Sequence, residues 1–156
     1  VHKIFVKRTI RCFCPSVQTV LWEIKNWTQF WSPLHQVNIH YDDGRHQDFS
    51  MFLEWQERHT QIRTVRFLDH QGNISFFSPI PPPPMTVHQG FWQLSAENHR
   101  ETELTAIRWF KLPMIEKEGF EEYQKRLKEF SEGFVLRLEK LLERLGELCE
   151  KSTSLS

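Results

Sequence analysis

Residues 120–149 read FEEYQKRLKEFSEGFVLRLEKLLERLGELC. Apolar side chains at Phe120, Tyr123, Leu127, Phe130, Phe134, Leu138, Leu141, Leu145 and Leu148 advance by threes and fours, and Glu, Lys and Arg fill the other faces. This spacing predicts an amphipathic helix from about Glu116 to Cys149, roughly 45–50 Å long at ~1.5 Å per residue. Such a stripe is either a coiled-coil seam or the cover of a sheet. The segment before it favours the sheet.

From Gln36 to Lys111 the apolar period is two rather than three or four. Val37, Ile39 and Tyr41 alternate with polar residues, and Asp42-Asp43-Gly44-Arg45 supplies a turn. Phe49, Met51, Leu53 and Trp55 continue the alternation as a half-buried antiparallel strand. Further strands are expected over His59 to Asp69, Ile74 to Phe77, Thr86 to Leu94 and Glu103 to Lys111. Ahead of them, His2 to Cys12 reads as a strand with Ile4, Val6, Ile10 and Cys12 on one face. Pro15 then opens a helix carrying Val17, Val20, Leu21, Ile24, Trp27 and Trp31, which ends by Pro33. The order is strand, one or two short helices, six strands, long helix. This is an α+β chain in which the helices cover one face of a seven-stranded, curled antiparallel sheet. A long helix lying across a curled sheet leaves a gap, and that gap is a natural ligand cavity. Residues 1–150 are expected to form one domain, and 151–156 a frayed tail.

Composition limits the function. The chain has 156 residues with 20 basic and 20 acidic side chains, so a nucleic-acid groove or an anionic-membrane surface is not indicated. No apolar run approaches the roughly 20 residues of a membrane span. The start VHKIFVKR lacks the apolar core of a signal peptide. Three cysteines, Cys12, Cys14 and Cys149, fit a reducing cytoplasm better than a disulfide scaffold. Thirteen Phe and six Trp imply a large-residue core or an aromatic-lined cavity. Four successive prolines, Pro81 to Pro84, interrupt the strand region. Proline has no N–H, so this run is a linker, a recognition segment or a stiff loop. With strands on both sides it reads as a rigid wall of the cavity opening.

Two segments carry a resemblance. Val20-Leu21-Trp22-Glu23-Ile24-Lys25-Asn26, followed by Trp31 and Leu34, resembles the V-W-D-V-x-N-x-x-x-x-W-P-x-L region of bacterial polyketide aromatase/cyclases. Ile107-Arg108-Trp109-Phe110, after Glu101-Thr102-Glu103-Leu104, resembles their last strand, T-E-x-R-W. The element order is similar to the START-like, helix-grip (SRPBCC) superfamily, which also holds the birch-pollen allergen proteins and lipid carriers. The family's proline after the tryptophan is displaced to Pro33. Its tyrosine falls near Asn38, with Tyr41 the nearest substitute.

Candidate site residues follow from strand parity and from that resemblance. Ile62, Thr64, Arg66 and Leu68 share a face, which would point Arg66 inward; a one-residue slip would turn Arg63 and Val65 inward instead. The family similarly places an arginine on this strand, and a fixed guanidinium suits the oxyanion that forms when an enolate attacks a carbonyl. His88 is the candidate proton carrier, with Tyr41 and His35 as weaker alternatives. Trp31, Trp55, Trp92, Met51, Phe130 and Phe134 are the candidate substrate-binding residues, holding a flexible chain curled. Whether Arg108 or Trp109 faces inward is left open by the sequence. The resemblance implies a polyketide cyclase/dehydratase (aromatase) that needs no metal or organic cofactor. Its poly-β-keto substrate would arrive on an acyl carrier protein, with Arg45, Arg58 and His59 as a basic rim. The same cavity would equally serve a non-catalytic carrier of a lipid or other hydrophobic small molecule. A third reading is an assembly protein that pairs through its long helix; monomer and homodimer both fit.

Overall fold

The computed structural model describes residues 1–55 and 57–154, the last three of these by backbone alone. β1 (His2–Ile10) leads into α1 (Cys14–Trp22), whose first turn contains Pro15, and a 3₁₀ turn over Ile24–Gln29 follows. The helical stripe read from Val17 to Trp31 is therefore broken at Glu23. Six strands come next: β2 (Leu34–Asp42), β3 (His46–Trp55), β4 (Arg58–Leu68), β5 (Ile74–Ile80), β6 (Val87–Asn98) and β7 (Glu101–Lys111). α2 (Phe120–Ser154) closes the chain. It reaches into the segment expected to fray, of which residues 155–156 lie outside the described ones.

All seven strands are antiparallel in one sheet, ordered β1-β7-β6-β5-β4-β3-β2. Every hairpin-linked pair is adjacent, and β1 returns to lie beside β7, which leaves β1 and β2 as the edges. α1 and α2 cover the concave face. Leu127, Phe134, Leu138, Leu141, Leu142 and Leu145 of α2 are buried with Ile4, Val6 and Ile10 of β1. Phe120, the first residue of the periodic stripe, is 72% exposed. The helix starts there, and the loop ahead of it is tied down elsewhere: Glu118 accepts from Arg126 Nε at 2.9 Å and from the Ile115 N–H at 3.1 Å. Among the described residues no helix is long and apolar enough to cross a membrane.

Strand parity held on β4 and failed at the end of β2. Val37 pairs with Met51 and Ile39 with Phe49, all on the concave face, but the register shifts between Ile39 and Tyr41. Tyr41 then lies opposite Asp48 on the convex face. One extra residue in a strand flips every side chain beyond it.

Candidate functional site

The concave face, α2 and the 3₁₀ turn enclose a cavity of about 710 Å³, within the usual range for a small-molecule site. Its inner wall is ordered by strand register. One row across the sheet runs Gln47, Arg66, Phe76, Gly90, Arg108. The adjacent row runs Phe49, Thr64, Ser78, His88, Phe110. Two buried arginines thus stand on either side of Phe76, next to a short line of polar groups.

The two arginines have opposite surroundings. Arg66 is 5% exposed and nearly all of its donors are engaged. Nε donates to Gln47 Oε1 at 2.8 Å, Nη1 to the Leu21 carbonyl at 2.8 Å, and Nη2 to the Trp22 carbonyl at 2.6 Å. Its guanidinium lies 5.0 Å from the Trp22 ring and 5.2 Å from that of Phe49. Gln47 in turn donates to Asp42, so Arg66 is linked to a carboxylate through one amide. The carbonyls it holds belong to the last turn of α1, where cations are favoured. Arg66, the side chain expected to act on substrate, lines the cavity as parity implied, and its hydrogen bonds brace β4 against α1.

Arg108 is 4% exposed, and among the described residues its one hydrogen bond is from Nη1 to the Ile107 carbonyl at 2.9 Å. Its guanidinium is sandwiched between Trp92 at 4.4 Å and Phe76 at 4.6 Å. Among the described residues no carboxylate pairs with it. Burial pushes both arginines down to about 9, which leaves both charged at neutral pH. For Arg66 the charges of Asp42 and Glu23 offset part of the burial; Arg108 has no such compensation. A guanidinium held between two rings, with free N–H groups and no counter-ion, is equipped to bind oxygen. Sequence reasoning left it undecided, although Thr102, Leu104, Ala106, Arg108 and Phe110 form a face on which every other member suits the interior. Trp109 points out, where Lys3 lies 5.8 Å from its ring.

His88 completes the line. Its Nδ1 is 3.3 Å from Ser78 Oγ, which is 3.2 Å from Thr64 Oγ1. Its Nε2 is buried with no hydrogen-bond partner among the described residues. The ring sits against Phe76 and Phe134. Burial, and then the charge of Arg108, push its pKa down to about 3. The folded protein therefore refuses a proton that the unfolded chain accepts near 6.5. The stability His88 contributes is complete above about 6.5 and is lost as pH falls toward 3. Thermal melts across that window are expected to fall less steeply for His88→Leu than for wild type, and equal slopes would refute a neutral buried imidazole.

Gly90 explains how Phe76 reaches Arg108. A Cβ there would lie 2.6 Å from Phe76 Cζ and 2.7 Å from the Ile107 carbonyl oxygen. Gly90→Ala is expected to cost about 1–3 kcal/mol, as overpacking does. It should also move Phe76 off the guanidinium, and an unchanged melting temperature would show that the ring can shift freely.

The remaining candidates divide. Trp31, Trp55, Trp92, Met51 and Phe134 all line the cavity, as does Trp27. Two do not. Tyr41 is 56% exposed on the convex face and donates to Asp43 at 2.9 Å, so it cannot serve this cavity as a proton carrier. Phe130 is absent from the cavity wall; it stacks at 5.4 Å on Phe110 and 5.8 Å on Phe134, because periodicity gives a helix face but not the neighbour on it. His35 lies outside the wall too, 3.6 Å from Glu54. Exposed lining residues, among them Ser32, Glu54 and Arg137, mark the mouth. Pro82 and Met85 form one side of the wall, and Trp55 Nε1 donates to the Pro83 carbonyl at 2.5 Å, so the proline loop does border the cavity. Arg45 is in the β2–β3 turn, roughly 30 Å along β3 from Trp55, and is not part of a rim at this mouth.

Comparison of the structure with solved ones places the chain in a known fold class. The Zhui aromatase/cyclase from Streptomyces sp. R1128 superposes with a TM-score of 0.82 at 14% identity, covering 97% of this chain and 95% of that one. A START superfamily protein from Mycobacterium smegmatis gives 0.77 at 14% identity, covering 97% and 99%. The di-domain aromatase/cyclase StfQ of the steffimycin biosynthetic pathway gives 0.79 at 15% identity, covering 97% of this chain and 52% of that one. No protein-family profile and no curated protein matches the chain. The chain has the START-like, helix-grip fold.

Proposed function

We propose that the protein is an aromatase/cyclase-like enzyme that closes and dehydrates a ring from a poly-β-keto chain in this cavity. The observation that carries the reading is Arg108, a buried guanidinium without a counter-ion, beside the unpartnered Nε2 of His88 in an aromatic wall. In an aldol closure an enolate carbon attacks a carbonyl carbon, and the carbonyl oxygen becomes an alkoxide. Arg108 would hold that oxygen, where a donor in a dry site is worth most. His88 is neutral at working pH. In the tautomer whose Nδ1–H donates to Ser78, its Nε2, unprotonated in the empty cavity, would take the proton that creates the enolate only as the anion formed beside it offsets the new charge, and would return one to the alkoxide or the departing hydroxyl. Trp31, Trp55, Trp92, Met51 and Phe134 would set which carbons meet. Arg66 holds the wall in place.

The fold is shared with proteins that only bind, so a carrier for an oxygen-bearing apolar ligand is the second reading. The apolar part of the wall favours it; the uncompensated charge on Arg108 favours the enzyme. The deciding experiment supplies a reactive poly-β-keto chain from a minimal polyketide synthase and resolves the products by mass. Wild type should redirect the mixture toward one aromatic product and Arg108→Met should not. If wild type leaves the mixture unchanged across several chain lengths, the enzyme reading fails and the carrier reading takes its place.

A further inference from the structure

The charges of this chain balance overall, yet they do not balance around the cavity. Six cationic side chains line it against two carboxylates. Of the carboxylates, Glu54 lies against His35. Three of the cations, Arg137, Lys140 and Arg144, stand on α2 within an arc of about 60° and over roughly 10 Å of helix, beside the apolar strip of Phe134, Leu138 and Leu141. All three are exposed at the mouth, and none makes an ion pair or hydrogen bond with a described residue. Arg137 does not extend into solvent. Its guanidinium lies 5.0 Å from the Trp55 ring and 5.9 Å from that of Phe134, both in the cavity wall. Surface cations usually alternate with acids along a helix, as Lys and Glu do elsewhere on α2. On the face of α2 that borders the opening, the charged lining residues are four cations and one carboxylate, Glu147. Like charges so close repel one another, and a bound anion would relieve that repulsion.

We infer that Arg137, Lys140 and Arg144 form an anion-binding subsite at the mouth, which holds a carboxylate or phosphate on the outer end of an apolar ligand. The inference rests on the reading that the cavity takes an apolar small molecule. It adds that such a molecule enters with one end charged. The inner end meets Arg108 and His88, the middle meets the aromatic wall, and the charged end stays with α2 in partial contact with water.

The test uses three probes with the same chain: dodecanol, dodecanoate and dodecyl phosphate, each below its micelle concentration. Trp27, Trp31, Trp55 and Trp92 lie in the wall, so tryptophan fluorescence reports binding directly. Wild type should bind at least one of the two anions about tenfold more tightly than dodecanol, the sum of several modest charge contacts. The preference should shrink as salt rises. The better of the two anions tells whether the subsite is built for carboxylate or phosphate. The triple variant Arg137→Gln, Lys140→Gln, Arg144→Gln should lose the anion preference and keep its affinity for dodecanol. Its melting temperature should fall only slightly, by the loss of the Arg137 contacts with the Trp55 and Phe134 rings. Equal binding of all three probes by wild type overturns the subsite and leaves the cavity reading intact. An anion preference that survives in the triple variant also overturns it and assigns the preference to the lining cations that remain, Arg66, Arg108 and Lys151. If no probe binds wild type, the cavity reading fails and the subsite falls with it.

Discussion

Arg108→Met is expected to abolish redirected product formation while leaving the protein folded, with a melting temperature no lower than that of wild type. Methionine keeps the length and the contacts with Trp92 and Phe76 but removes the positive charge and the N–H donors. If Arg108 holds the developing oxyanion, the loss in rate should be about 10²–10³-fold, the size seen when one preorganised donor is deleted. The stability prediction has the opposite sign for a separate reason. The guanidinium is buried with one backbone hydrogen bond and no carboxylate. An uncompensated charge in the interior is a cost, so replacing it with an apolar side chain should gain on the order of 1 kcal/mol, or about 2–4 °C in melting temperature for a chain of this size. Activity falling while stability rises is the signature of a functional charge. A variant that loses both would identify Arg108 as a structural residue and remove the main support for the enzyme reading.

Arg66→Met should do the reverse. The guanidinium binds two carbonyls at the end of α1 and Gln47 on β3, and its loss leaves Gln47 Oε1 buried without that donor. Hydrogen bonds to a charged group contribute more than neutral ones, and breaking a buried charged network typically costs about 3–5 kcal/mol. Chemical denaturation should show that loss directly, with catalysis falling in proportion to the folded fraction. Arg66→Lys should recover only part of it, since an ammonium cannot reproduce the fork. Should Arg66→Met melt like wild type and yet lose all product formation, the roles given to the two arginines would have to be exchanged.

The fold was largely legible because period and order are coarse signals. Apolar spacing of two from Gln36 to Lys111 and of three to four after Phe120 allows few arrangements, and antiparallel hairpins with a covering helix is the simplest. The site was less legible because it depends on parity and on distant partners. Parity placed Arg66 inward, but nothing near it in sequence says that its acceptors are carbonyls of Leu21 and Trp22, some 45 residues earlier. Tyr41 was misplaced by one register shift that leaves no mark in a pattern of alternation. Arg108 stood in plain view on an otherwise inward face, yet an arginine and a tryptophan side by side gave opposite answers to burial and to polarity. Phe130 lies on the expected helix face and still packs among rings instead of lining the space.

The four prolines at the mouth also give it a direction. A stretch without N–H groups can offer only carbonyl oxygens, and one of these already takes the Trp55 indole proton. The guanidinium and ammonium groups of α2 line the same opening, with Arg137 over the Trp55 ring. One bank of the mouth is therefore rich in lone pairs and the helix border in positive charge. An incoming molecule with an acidic end and a hydroxylated flank would be turned before it is gripped, acid toward the helix and hydroxyls toward the prolines. Because the proline bank cannot easily rearrange, that orientation would be fixed by the rigid side of the mouth and not negotiated by a moving loop.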